Sequence, residues 1–347
     1  MNASSMTDAT ASRPATRRPD IRAMLAQHQA PQLRKSLLQL GTTFGPFFAL
    51  IVAMYVLSHY SPWLALTLAL PAGALIVRIF IIQHDCGHGS FFRSKAANIW
   101  VGRFCSLFTF TPFANWRRHH ANHHASWNNL DKRLEGTDIY STCLTVAEYQ
   151  ALSPRGRWLR RVARHPLLAH LVFPPVVFLF IYRVAYETPR NWRQERRGVL
   201  LTNLALLAVF GGLAFWFGLG RVALVHVPAI AIASIIGVWL FSVQHRFEDA
   251  LWAHQPSWSS VDAALFGSSH LKLPAILQWF SGNIGFHHIH HLIPQVPNYR
   301  LAECHRICAA LAPGVATLTL LDALRAPAYA LWDEAAGRMI RFSDLPA

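Results

Sequence analysis

Charge is scarce in this chain. Asp, Glu, Lys and Arg together make up only 14% of it, against about a quarter in soluble domains. Acids are rarest, with 17 carboxylates facing 32 lysines and arginines. The five cysteines (86, 105, 143, 304 and 308) include no Cys-x-x-Cys pair and no set that would hold an iron–sulfur cluster; they read as packing residues. No Gly-x-Gly-x-x-Gly follows a strand, which argues against a dinucleotide domain. No haem-binding segment is fused at either end. No basic stripe interleaved with stacking aromatics stands apart from the apolar segments, so nucleic acid is not the expected partner. No apolar core precedes Leu38, so no signal peptide is expected. Internal repeats are lacking as well.

What the chain has instead is apolar sequence, 53% of all residues. It collects in four blocks of bilayer-crossing length, about Leu38–Leu57, Trp63–Ile82, Val199–Phe217 and Val222–Val243. The turns HYSP (59–62) and GLGR (218–221) join them pairwise, predicting two transmembrane helical hairpins. A fifth apolar stretch, Pro166–Tyr182, contains Pro174-Pro175. That pair cannot sit inside a helix without loss of backbone bonds, and the stretch is expected to be interfacial or half-buried. The net charge of +15 is concentrated in residues 13–35, 84–198 and beyond 245, while the two short turns carry only Arg221. By the positive-inside rule the termini and the middle segment face the cytoplasm, with an inner-membrane location. The basic excess suits anionic head groups or an acidic partner. Residues 1–34 are expected to be a disordered basic tail, 35–310 the membrane domain and 311–347 a cytoplasmic segment.

Histidine is the second excess, with 19 residues. Most fall into three clusters, HDCGH (84–88), HHANHH (119–124) and HHIHH (287–291), with His245 following the fourth apolar block in QHRFED (244–249). Each hairpin therefore returns its chain at a histidine. His84 and His88 are i and i+4; His120, His123 and His124 are i, i+3 and i+4, as are His287, His290 and His291. Such residues share a helix face, so each group is expected to aim its imidazoles at one point. Buried imidazoles without partners are costly, and a metal centre resolves that cost. Eight clustered imidazoles, or nine with His245, exceed one ion's needs and imply two. The nearby acids Asp85, Glu135, Asp138, Glu248 and Asp249 suit orientation of imidazoles rather than bridging of metals. Isolated histidines such as His28, His59, His165, His226 and His305 read as packing or surface residues.

The boxes His84–His88, His120–His124 and His287–His291 resemble the HxxxH, HxxHH, HxxHH pattern of the membrane fatty acid desaturase family. The flanks HDCGHGSFF (84–92), TPFANWRRHHANHHASWNNLDKR (111–133) and SGNIGFHHIHHLIPQVPNYRL (281–301) resemble bacterial acyl-lipid desaturases of the Δ5/Δ12 type. The resemblance spans about residues 35–310. It implies an all-α integral membrane fold with a cytoplasmic helical cap carrying two non-haem irons. O2 is the expected co-substrate, and removal of two hydrogens from an acyl chain leaves a cis double bond. It assigns as metal ligands His84, His88, His120, His123, His124, His245, His287, His290 and His291, leaving His119 and His288 outside the pattern.

That chemistry agrees with the residues, because an unactivated methylene offers nothing for acid–base or nucleophilic attack and needs a redox cofactor. GRFCSLFTFTPF (102–113) is a candidate lining for an acyl channel. Basic residues near Arg93, Lys95, Arg117, Arg118, Lys132 and Arg133 suit a lipid phosphate, an acidic donor or membrane anchoring. With no electron-carrying segment of its own, the chain implies a separate donor such as ferredoxin. The expected substrate is an acyl-lipid or an acyl-thioester. Two rivals share its features: a membrane hydroxylase, monooxygenase or carotenoid ketolase with the same boxes, and a non-enzymatic zinc-stabilised receptor or metal transporter. A transporter would carry its ionisable groups within the spans, whereas these histidines cluster at their ends.

Overall fold

The computed structural model describes residues 20–133 and 142–345, which are mostly helical. Helix α1 (Ile21–Leu25) precedes α2 (Leu33–Leu57), the first crossing. A short α3 (Pro62–Thr67) then leads into α4 (Ala69–His88). Ser61 caps α3 by accepting from the Trp63 amide at 3.2 Å, and Pro62 stands in the first turn, where its missing N–H costs nothing. The break at Leu68 follows from Pro71, which has no N–H to offer the Thr67 carbonyl. The second crossing thus runs on past the expected Ile82, so that His84 and His88 lie on the same rigid helix as the apolar run. Helices α5 (Lys95–Thr109) and α6 (Phe113–Ser126) follow, then α7 (Val146–Ala151), α8 (Pro154–Ala163) and α9 (Phe173–Leu179). The second hairpin is α10 (Arg193–Phe217) and α11 (Leu219–Val243).

These four long helices are apolar enough to cross a membrane, and they differ in burial. The α4 span is 78% buried, whereas α10 is 11% buried. Helix α4 is therefore the central post, and α2 and α10 present Leu33, Leu37, Val52, Leu200, Leu204 and Leu207 outward. Such a continuous apolar exterior suits lipid, not water. Close contact of α4 with α11 rests on Gly73, where a Cβ would lie 2.8 Å from Ile232 Cγ2 and 2.9 Å from the Ala229 carbonyl oxygen. The turns of both hairpins meet at one end of the bundle: Tyr55 Oη and His226 Nε2 are 3.1 Å apart, and Arg221 donates to His59 Nε2 at 3.2 Å. Both C-terminal helix ends, with their histidines, consequently emerge together at the other.

The fifth apolar stretch is bent. A π-helical turn (Leu168–Val172) feeds α9, and the segment 168–183 lies at 52° to α8. Pro174 and Pro175 occupy the first turn of α9, which needs no amide from them. Ala169, His170 and Pro174 are buried, while Leu171, Val176 and Phe180 are exposed, a half-buried segment as expected.

Beyond α11 the chain forms α12 (Ser260–Phe266), α13 (Ala275–Phe280), α14 (His287–Leu292), α15 (Leu301–Leu311) and α16 (Leu320–Arg325). Five short strands accompany them: β1 (Leu144–Thr145), β2 (His270–Leu271), β3 (Thr317–Leu318), β4 (Tyr329–Asp333) and β5 (Arg338–Arg341). Parallel β1 and antiparallel β5 flank β4, and β2 pairs with β3 in parallel. These strands depart from the expected all-α fold, and at two to five residues each they are too short to show as alternation in the sequence. Fully buried Arg246 anchors that C-terminal unit by donating to the carbonyls of Tyr329 and Pro327. The expectation of disorder through residue 34 is also corrected. Residues 1–19 lie outside the described residues, but α1 buries Ile21 and Leu25 beside Leu292 and Leu301, and Arg22 Nε donates to the Leu292 carbonyl at 3.0 Å. A pair of apolar side chains four apart in an otherwise polar stretch was the overlooked signal.

Candidate metal centre

Four elements deliver the histidines. The last turns of α4 carry His84 and His88, and the helix ends at Gly89, whose φ of +72° is left-handed and favours a residue without Cβ. Helix α6 carries His120, His123 and His124, α14 carries His287, His290 and His291, and His245 sits just after α11. All nine meet in one shell through their Nε2 atoms.

Within that shell they form two groups. In the first, His84 lies 3.0 Å from His290, His88 lies 3.0 Å from His120, and His124 lies 3.1 Å from His120 and 2.9 Å from His290. In the second, His245 lies 2.9 Å from His287 and 3.2 Å from both His123 and His291. His291 closes that group at 3.1 Å from His287 and 3.3 Å from His123. This corrects the expectation that each box aims at a single point. His120 and His124 join the first group and His123 the second; His287 and His291 join the second and His290 the first. An i, i+4 pair projects to one side of its helix, and the residue between them is rotated away by about 100° from its successor.

Burial disfavours protonation of most of these imidazoles. His120, His124, His245, His287, His290 and His291 have pKa values well below the usual imidazole range, first through desolvation and then through the neighbouring rings. Neutral rings present lone pairs, and lone pairs converging at about 3 Å repel unless a cation lies between them. Nitrogens bound about 2.1 Å from one ion stand about 3.0 Å apart at right angles and about 3.4 Å apart in a tetrahedron. The observed 2.9–3.3 Å spacings favour right angles, and five converging imidazoles exceed a tetrahedral shell. The donor set fits two metal ions.

Among the described residues, Asp85 is the acid that orients one of these imidazoles. Its Oδ1 is 3.2 Å from His84 Nδ1, which places the proton on Nδ1 and leaves Nε2 free to ligate. Asp85 Oδ2 accepts from the Asn298 amide at 2.7 Å and from Asn298 Nδ2 at 2.8 Å. Asn298 and Gln39 exchange two further bonds, at 3.1 and 3.2 Å. Glu248, expected in a similar role, is instead exposed, where it receives Arg338 at 2.7 Å and the Tyr329 hydroxyl at 3.0 Å. Asp249 is exposed on the surface; Glu135 and Asp138 lie outside the described residues. His119 and His288 stand outside the shell: the His119 ring is 5.1 Å from Trp192, and His288 Nε2 faces His305 Nδ1 at 3.1 Å.

An apolar cavity of about 240 Å³ reaches the histidines from inside the bundle. Ile76, Val77, Phe80 and Ile81 border it on α4, and Ile230, Ala233, Gly237 and Phe241 on α11. At its metal end stand His84, His120, His123 and His287 with Trp116, whose indole stacks on His120 at 4.7 Å. The expected lining is corrected here. Of residues 102–113 only Thr109, Thr111 and Pro112 border the cavity, while Phe104 and Phe108 pack on Phe44 of α2 at 5.3 and 5.6 Å. In their place the fifth apolar stretch supplies Val177, Phe178, Ile181 and Tyr182, whose spacing marks one helical face. Arg133, expected in a docking patch, is buried and donates to the Cys143 carbonyl and to Glu148. All five cysteines are buried and free.

Membrane-length hairpins, two imidazole groups and an apolar cavity ending on them define a membrane protein of a class able to hold metal ions beside an apolar substrate. The comparisons narrow this class. The fatty acid desaturase family model matches residues 61–319. A fatty acid desaturase of Bacillus subtilis is 42% identical over 318 residues, covering 92% of this chain and 89% of the relative. An sn-1 acyl-lipid omega-3 desaturase (ferredoxin) of Synechocystis is 28% identical, covering 75% of this chain and 72% of its own. An sn-1 oleoyl-lipid 12-desaturase of Picosynechococcus is 27% identical over 74% and 73%. The chain belongs to the fatty acid desaturase family, and it is an oxidoreductase acting on fatty acids.

Proposed function

We propose that the nine imidazoles hold two iron ions and that the enzyme forms a cis double bond in acyl chains of membrane lipids, using O2 and an external electron donor. The observation that carries this reading is the junction of the cavity with both groups: His84 and His120 of one and His123 and His287 of the other border the same apolar space. Iron bound there supplies an O2-dependent oxidation that no side chain can perform. The right-angled nitrogen spacing and a donor set richer than zinc needs support iron over zinc.

The protein's own part is positional. The cavity walls hold a chain of methylenes and exclude water, Asp85 keeps the His84 lone pair directed inward, and Trp116 fixes the plane of His120. Two hydrogens from neighbouring methylenes, two electrons and two protons from outside reduce one O2 to two waters. Ferredoxin named for the Synechocystis relative supports a small acidic donor, and the basic segments support an active site on the cytoplasmic side of the inner membrane. The lipid-named relatives support a glycerolipid-bound acyl group.

The test is expression in a bacterium without desaturases, with mass spectrometry of the lipids and metal analysis of the purified protein. A new double bond and about two irons per chain, matching the two imidazole groups, are expected. A hydroxylated product, or a single zinc, would refute the reading.

A further inference from the structure

The cavity approaches the metal centre past Phe80, Trp116 and Phe241; a different set of aromatic rings covers another side. The Trp127 ring is 3.8 Å from His245, 5.0 Å from His123 and 6.2 Å from His291. One buried indole therefore packs against two of the four rings of the second group and stands near a third, and it does not line the cavity. Its far side meets Trp252 at 5.2 Å. Trp258, partly exposed, packs on the same cluster and donates its Nε1–H to the Trp127 carbonyl at 2.8 Å. The Trp252 indole N–H is buried with no hydrogen-bond partner among the described residues. A phenylalanine there would leave no unpaired N–H. Hydrogen bonding does not call for indole there, whereas redox chemistry has a use for it, because indole is among the side chains most readily oxidised by one electron.

We propose that Trp127, Trp252 and Trp258 form a path that removes oxidising equivalents from the histidine shell when O2 reacts with no acyl chain in the cavity. The inference rests on the di-iron reading above. Full reduction of O2 to two waters takes four electrons and four protons. In a productive cycle two electrons come from the donor, and the methylene pair supplies the other two with its two hydrogens. Without an acyl chain, Trp127 gives one electron to the centre, Trp252 re-reduces Trp127, Trp258 re-reduces Trp252 across the cluster they share, and the one-electron donor re-reduces partly exposed Trp258 at the surface. A second such passage completes the four electrons, with all four protons drawn from solvent. Oxidation is thereby led away from the metal-holding imidazoles and is repaired at the surface.

The experiment uses the iron-loaded full chain in detergent, reduced with dithionite, mixed with O2 and freeze-quenched. Electron paramagnetic resonance and peptide mass spectrometry are the readouts. An indole radical is expected without acyl lipid and is suppressed several-fold when lipid is present. Oxygen adducts should fall on Trp252 and Trp258. In Trp127→Phe the radical is lost and adducts move to His123, His245 and His291; in Trp252→Phe they stop at Trp127, with the initial desaturation rate and bound iron retained. If Trp127→Phe does not fold, Trp252→Phe decides alone. A loaded wild-type protein that forms no indole radical, or the same adduct map in wild type and variants, overturns the relay while leaving the desaturase reading intact. Failure to bind iron overturns both, and metal analysis registers it separately.

Discussion

His84 and His290 are 206 positions apart in sequence, yet their Nε2 atoms lie 3.0 Å apart in the folded chain. Nothing local forces that contact. It exists because α4 and the loop leaving α14 are tied by the Asp85–Asn298–Gln39 bonds, which bring the third box down onto the first.

The division of the boxes predicts unequal losses of metal. His290→Ala and His124→Ala should release the ion of the five-histidine group, and His287→Ala and His245→Ala the other. Each should abolish desaturation while leaving about half of the iron in place. Metal analysis checks this; variants that all retain full activity would show that the ligand set is wrong.

Asp85→Asn keeps the shape but weakens the acceptor on His84 Nδ1. Loss of such an orienting partner costs about 10–100-fold in metal affinity or activity. Iron titration of the variant measures it. An unchanged affinity would show that the His84 tautomer is held by something else.

Gly237 borders the cavity, and a Cβ built on it meets nothing within 4 Å. Gly237→Ala should therefore be tolerated, whereas Gly237→Leu fills the chain-binding space. The larger substitution should lower activity on long acyl chains or move the double bond, as read from the lipid product profile. Identical products from both variants would remove Gly237 from the substrate path.

His254 tests a contact away from the metals. Its exposed ring lies 2.6 Å from Asp131 and 3.1 Å from Glu334, and hydrogen bonds to these two carboxylates, Asp131 foremost, raise its pKa. A base whose folded pKa is raised contributes stability that is full below its unfolded pKa, about 6.5, and is lost as pH rises through the folded value. His254→Gln should therefore lower the melting temperature slightly in mild acid and hardly at all in mild alkali, the effect being small because solvent screens the pair. A deficit growing with pH would contradict this.

Much of the site was legible in the chain. Clustered imidazoles at the ends of apolar runs announce themselves, since helical spacing and bilayer length are local properties. The second crossing was misjudged at its ends because Pro71 breaks the helix and His84 and His88 extend it. The role of Val177, Phe178, Ile181 and Tyr182 was hidden, because the same apolar residues suit lipid, packing or a channel equally well. Trp127 carried no signal, being one of 12 tryptophans in the chain.

By itself, the sequence determined which imidazoles cluster and at which end of the spans they gather, because both follow from hydrophobic run length and residue spacing. Only the tertiary structure decided how HxxHH is shared between two groups, which walls enclose the cavity and which indole stands behind His245. Those depend on the rotation of each helix about its axis, set by close contacts such as Gly73 against Ala229, and no short stretch of chain encodes that rotation.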